Sequence, residues 1–280
     1  METLPATLDD TTSADLAILT GTATTGSAHL ASLGINYQKK DNEDNKLPRG
    51  IWRLDNGEEI VFGTDLTTKI MGADFQVREY SKAKEKYVGE TVLYRNGFEM
   101  NVEDDQGGYR CGKVKYKERE ALPEAEQVAQ QAKKFYRVLL GVATLKGKNA
   151  AGKKAVADNI PFIARLRGNS LDPINEYLNT FDKNDGVFNY VTNWTIEEGE
   201  GGNVDYWVAK PERGKAAPIN KSPDEYATLK ALMDWRDDYN DDIMSKWRKK
   251  NGMNVSKVAA EATNVDAVVI EPEMDDEIPL

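Results

Sequence analysis

The chain has 280 residues, with 37 basic against 47 acidic side chains, one histidine and one cysteine, for a net charge of −10. A lone Cys111 excludes an intramolecular disulfide framework, and with only His29 beside it the chain assembles neither a Cys/His zinc site nor a convincing Ser-His-Asp or Cys-His constellation. Hydrophobic residues at 40% and charged residues at 30% describe a globular chain with a polar surface, and no run approaches the ~18 apolar residues of a membrane-spanning helix.

Residues 1–33 are rich in Ala, Thr, Ser and Gly and read as a weakly ordered segment, with a short helix around Asp15–Leu19 and His29 on the surface. The body, residues 34–252, opens with short strands separated by turns. Ile51–Phe62 reads as a hairpin, with Asn56-Gly57 supplying the positive φ angles of its turn. Further strands are expected near Lys69–Met71, Asp74–Tyr80, Thr91–Tyr94, Phe98–Val102 and Tyr109–Lys117.

Pro123 opens a helix to about Lys134, and the apolar run Tyr136–Leu145 reads as a strand buried on both faces. The following Gly147-Lys-Asn-Ala-Ala-Gly-Lys-Lys154 nearly matches the phosphate loop of nucleotide hydrolases. Lys154 stands where that loop needs a magnesium-ligating hydroxyl, and Asn159-Ile160-Pro161 leaves no room for its helix. A flexible basic loop, with Lys146, Lys148, Lys153 and Lys154 reaching phosphates, is the better reading.

Ile160–Arg167 is a further strand. Asp172 and Pro173 start a helix reaching Phe181, and strands at Val187–Glu197 and Val204–Ala209 flank a Gly-rich turn. The longest helix spans 223–250. Ser222 and Glu225 form a capping box, Tyr226, Leu229, Leu232, Met233, Tyr239, Ile243 and Trp247 share a face, and Lys246 with Arg248–Lys250 suits its C-terminal dipole. Many short strands with a few helices and no strand–helix alternation describe a mainly β protein with α elements (α+β), a barrel or twisted antiparallel sheet with appended helices.

Residues 253–280 read as a flexible acidic tail. Between Lys257 and Leu280 seven acids face one lysine, so the body itself is only weakly negative and leaves room for a basic groove. The chain ends in Met274-Asp-Asp-Glu-Ile-Pro-Leu280, acids leading to a short apolar hook. This tip resembles the C-terminal tip of bacterial and phage single-stranded-DNA-binding proteins, where acids precede Ile-Pro-Phe; here Leu280 takes the place of Phe. The resemblance implies binding of single-stranded DNA during replication or recombination, without enzymatic activity or cofactor, in the cytoplasm of a bacterium or a phage-infected cell. An N-terminus without a basic and apolar leader agrees with that compartment. It also implies that Asp275, Asp276, Glu277, Ile278, Pro279 and Leu280 recruit replication or recombination proteins, acids meeting a basic rim and the hook a small apolar pocket. An oligonucleotide-binding (OB-fold) barrel is the architecture that suits this role.

Single-strand binding requires rings on which bases stack and cations along the backbone, each stacked base contributing ~1–3 kcal/mol. The sheet region interleaves both: Trp52 and Arg53; Arg78 and Tyr80 near Phe75; Lys113, Lys115, Tyr116 and Lys117 after Tyr109-Arg110; Trp194 and Trp207 on the last hairpin, expected near each other. On the 160–167 strand, Arg165 and Arg167 point away from Phe162 and Leu166, and a pair of arginines on one strand face requires an anionic partner. Lys153 and Lys154 complete the set. Against this, about half of the strand aromatics should belong to the core.

Two other classes of function compete. A phage structural or assembly protein would carry the same tail for solubility alone. A metal-dependent nuclease would use acids such as Asp234, Asp237, Asp238, Asp241 and Asp242, or Glu103–Asp105, but carboxylates for two metals must converge from separate elements. A row along one helix reads as solvated surface, and no metal is expected. Asn193-Trp-Thr195 matches a glycosylation acceptor that carries no weight without a secretion signal. The reading involves no membrane and is compatible with a homo-oligomer.

Overall fold

The computed structural model describes residues 30–40, 46–182, 185–199, 206–219 and 223–253. Within them ten strands and four helices follow one another: β1 (Ala31–Ile35), β2 (Trp52–Asp55), β3 (Ile60–Ser81), β4 (Lys86–Glu90), β5 (Asn101–Glu103), β6 (Tyr109–Cys111), α1 (Tyr116–Arg119), α2 (Glu124–Ala132), β7 (Lys133–Asn149), β8 (Lys154–Arg167), α3 (Leu171–Asn179), β9 (Tyr190–Gly199), β10 (Tyr206–Ala216) and α4 (Pro223–Lys250). The His29 and Asp15–Leu19 readings, Ser222 of the capping box and the tail tip Asp275–Leu280 lie outside the described residues.

β3 is the spine. The hairpin strand and the two segments expected at 69–71 and 74–80 are one strand of 22 residues. One edge pairs with β7 from Val61↔Asn149 to Glu79↔Lys133; the other is shared in succession by β2, β9 and β4. β7 continues to β8, β8 pairs in parallel with β1, and β1 pairs with β2, which closes a ring of strands. Gly141 permits the close approach along this spine: a Cβ there would collide with the carbonyl of Lys69.

Ring neighbours follow chain order, apart from the excursion through β4–β6, and the seam is the parallel β1–β8 pair. An OB-fold barrel follows a Greek-key path instead. The architecture shown is therefore the coarser one, a large mixed sheet, mainly β, with appended helices.

Alternation decides what the ring encloses. Phe162, Ala164 and Leu166 of β8 join Leu54, Ile70, Leu139 and Leu145 in the main core, which α3 supplements with Ile174 and Tyr177. The opposite face of β7 and β8, with Tyr136, Val138, Leu140 and Ile163, packs against Trp235 and Tyr239 of α4.

Several expected boundaries shift. Strand β1 begins at Ala31, ahead of the expected Gly34, pairing with β8 from Ala31 and with β2 from Ser32. Tyr109–Lys117 is not one strand: β6 stops at Cys111, Gly112 takes φ +65°, and Tyr116–Arg119 turns into α1. Thr91–Tyr94 makes only isolated bridges, Phe75↔Tyr94 and Thr91↔Asp104. Asp172 lies inside the first turn of α3 instead of capping it, while Ser170 Oγ accepts from the Ala209 amide at 3.0 Å. On α4, Tyr226 and Met233 are exposed although they share a stripe with the buried Leu232 and Ile243.

Candidate nucleic-acid interface

The same alternation that buries Phe162 and Leu166 turns Ile163, Arg165 and Arg167 to the outer face of the ring. Register places Arg165 opposite Val138 and Arg167 opposite Tyr136, and Tyr136 in turn lies opposite Gln76 of β3. Arg53 of β2 sits across from Gly34 of β1, so five strands contribute to one face. Over this floor lies a groove of about 730 Å3 lined by five arginines, Arg49, Arg53, Arg78, Arg165 and Arg167, and by the rings of Tyr37, Tyr87, Tyr136, Tyr206 and Trp207. Among the described residues that line it there is no carboxylate side chain.

Each wall is built from aromatic and guanidinium contacts. On one side Tyr37 meets Trp207 edge to face, with centroids 5.3 Å apart, and its hydroxyl donates to the Trp207 carbonyl at 3.3 Å. The Arg49 guanidinium lies 4.7 Å from the Trp207 ring. On the other side the Arg78 guanidinium covers the Tyr87 ring at 4.1 Å, while its Nε is 3.0 Å from Glu90. The hydroxyls of Tyr87 and Tyr136 are hydrogen-bonded to each other.

Arg165 is held from below. Its Nε donates to Gln76 Oε1 at 2.9 Å, and Gln76 Nε2 donates to the Tyr239 hydroxyl of α4 at 2.7 Å and to the Thr91 carbonyl at 3.1 Å. Burial pushes the Tyr239 and Tyr136 hydroxyls well above the ordinary phenol range, so both stay neutral donors and acceptors. Tyr37 is also raised by burial, against the opposing charge of Arg167. Among the described residues no acid lies within salt-bridge distance of Arg165 or Arg167, whereas Arg53 pairs with Asp55 at 2.6 Å. Two cations set in a groove without acids favour an anionic ligand.

The sequence-derived residues do not all come together. Arg53, Arg78, Arg165, Arg167 and Trp207 come together in the groove. Tyr80 stands behind its rim, edge to face with Tyr87 at 5.4 Å. Trp52 and Trp194 belong elsewhere. They are 1% and 4% exposed, pack edge to face 5.5 Å apart inside the ring, and cannot stack bases. The Trp194 indole donates to Thr68 Oγ1 at 2.8 Å. Nor does Trp194 face Trp207 across the hairpin: Trp194 pairs with Pro211 and Trp207 with Glu198.

Lys153 and Lys154 are exposed at the β7–β8 hairpin turn, where the Asn149 side chain accepts from the Lys153 amide at 3.0 Å and Gly152 takes φ +75°. A hairpin, not a helix, follows the near-match to a phosphate loop. Lys115 and Lys117 are exposed around α1, while Lys113 lies at a separate cleft. Tyr116 belongs to α1 and not to a sheet.

Sequence reasoning missed Tyr37, Arg49, Tyr87, Tyr136 and Tyr206. Tyr37 and Arg49 flank a loop with no periodicity; Tyr136 lies in the strand read as buried on both faces, as it is, and is itself 5% exposed. Their convergence depends on the β1–β8 and β3–β7 pairings, which no local pattern announces. Of the acids, Asp234, Asp237, Asp238, Asp241 and Asp242 form an exposed row on α4, and Asp104 is a buried loop organiser accepting from the Gln106 and Gly108 amides at 2.8 and 2.9 Å. Among the described residues no group of three or more His, Cys, Asp or Glu is placed to hold a metal ion, and no helix is long and apolar enough to cross a membrane. Comparison with family models, curated proteins and solved structures returned no match.

Proposed function

We propose that the protein binds single-stranded DNA in the groove over β1, β2 and β8, as a non-enzymatic component of phage or bacterial replication or recombination. One observation carries the reading: among the described residues Arg165 and Arg167 have no acidic partner, and they lie beside aromatic rings in a groove whose described lining holds no carboxylate side chain. Guanidinium groups suit phosphodiester oxygens, and Tyr37 and Trp207 offer rings to unstacked bases, a combination that serves single strands better than duplex. The use of the outer face of a curved ring is what an OB-like binder would require, although this ring runs in chain order. The acidic tail supplies the second half of the proposal, recruitment of replication partners through Asp275–Leu280.

Fluorescence anisotropy of a labelled oligothymidylate at low salt tests the groove. A charge-assisted hydrogen bond contributes ~1.5–3 kcal/mol, so the double variant Arg165→Gln, Arg167→Gln should weaken binding by more than about tenfold while the fold, read by circular dichroism, persists. Binding should also fall steeply with salt. If the parent binds no oligonucleotide at low salt, the assembly-protein reading replaces this one; magnesium-dependent cleavage of the oligonucleotide would favour the nuclease.

A further inference from the structure

The groove is not the only acid-free basic depression. At the far end of the β3–β7 ladder, Lys82, Lys113, Arg119, Lys133 and Lys134 line a second cleft of about 480 Å3, together with Gln130, Gln131 and Phe135, and no carboxylate side chain is among its described lining residues. Three separate parts of the chain converge there: the turn after β3, the segment between β6 and α1, and the α2–β7 junction. The two depressions are linked across one ladder position. Arg78, at the rim of the groove, pairs in register with Lys134, at the rim of the cleft. Residues opposed across antiparallel strands project to the same side, so one cation from each depression stands side by side across the ladder, Arg78 also pairing with Glu90 at 3.0 Å. Lys134 Nζ donates to the Gln131 carbonyl at 2.8 Å and Lys113 lies 5.7 Å from the Phe98 ring; both are thereby held at the cleft.

We propose that this cleft is a second phosphodiester-binding site, which takes the continuation of a single strand as it leaves the groove over Arg78. The proposal rests on the groove being the primary site. The division of labour follows from residue type: the groove supplies arginines and exposed rings and holds bases as well as phosphates, while the lysine-rich cleft offers charge without a stacking platform. Binding at the cleft is therefore independent of base identity and strongly sensitive to salt.

The test compares oligothymidylates of about six and about twenty nucleotides, bound by the parent and by the triple variant Lys82→Gln, Lys113→Gln, Lys134→Gln. The parent should bind the long strand more tightly than the short one, beyond the statistical gain from overlapping registers. The triple variant should leave the short strand unaffected and weaken the long one by about tenfold, with the salt slope for the long strand falling by roughly two, given ~0.7 per single-strand phosphate contact. An equal loss on both strands, or no loss on either, overturns the second site while leaving the groove intact. Failure of the parent to bind either strand overturns both.

Discussion

Trp194 and Trp207 show how two identical side chains on one hairpin acquire opposite roles. Trp194 is enclosed by the ring, its indole satisfied by Thr68. Trp207 is half-buried between Tyr37 and Arg49 with a face toward the groove. Truncating a buried tryptophan costs ~3–5 kcal/mol through lost burial and the cavity left behind. Trp194→Ala should therefore lower the denaturation midpoint sharply. Trp207→Ala should shift it little and weaken oligonucleotide binding by about tenfold, the value of one stacked base. Equilibrium denaturation and anisotropy on the two variants separate the effects, and the opposite ranking would put the binding surface elsewhere. Arg165 depends on its neighbours in the same way: with Nε committed to Gln76, its guanidinium is fixed in orientation before any ligand arrives.

At the scale of the element, α4 is fastened by polar groups as much as by its apolar stripe. Arg236 reaches the buried Asp74 through two hydrogen bonds, at 2.7 and 3.1 Å. Asn240 exchanges a pair of hydrogen bonds with the backbone of Leu93, at 2.7 and 3.0 Å, and Trp247 donates to the Gly108 carbonyl at 3.1 Å. Lys69, buried in β3, is paired with Glu225 at the start of the helix. Removing one partner of a buried ion pair leaves an uncompensated charge, at a cost of ~3–5 kcal/mol. Arg95 lies 3.7 Å from Asp74 and softens that loss. Arg236→Ala should destabilise the protein by about 3 kcal/mol, read from urea denaturation, and the paired change with Asp74→Asn should recover part of it. This fastening explains what periodicity revealed of α4. Its span was legible from composition, capping and the basic end. Its buried face was legible in part: Leu232, Ile243, Tyr239 and Trp247 face the sheet, but so do Arg236 and Asn240, which a hydropathy pattern assigns to solvent, while Met233 and Tyr226 are exposed.

For the whole molecule, strand alternation was the most readable signal: it set Arg165 and Arg167 opposite Phe162 and Leu166, as the structure has them. Alternation names two faces without saying which is enclosed, and so Trp52 and Trp194 could not be told from surface rings. The groove's other members come from segments about a hundred residues apart and required the ring itself. Net charge was the least informative quantity, since −10 overall coexists with two depressions whose described lining residues are basic and include no acid. Much of the negative charge lies beyond Lys257, and on the proposed function these acids would compete with DNA for the basic groove at high effective concentration. A version ending at Pro272 should bind oligonucleotide as tightly as the full chain or more so at low salt, and should lose capture of replication partners. Identical behaviour in both assays would remove the tail from the mechanism.

The parallel seam has a further consequence, for the order in which the protein acquires its activity. Ala31 must await Phe162 before the circle shuts, and loop-closure entropy is spent before so distant a pairing can reward it. Arg165 and Arg167 sit on the strand that makes this late junction. On the proposed function, a refolding chain that holds β3 against β7 without this junction still lacks the groove, so oligonucleotide binding should be recovered no earlier than closure of the ring.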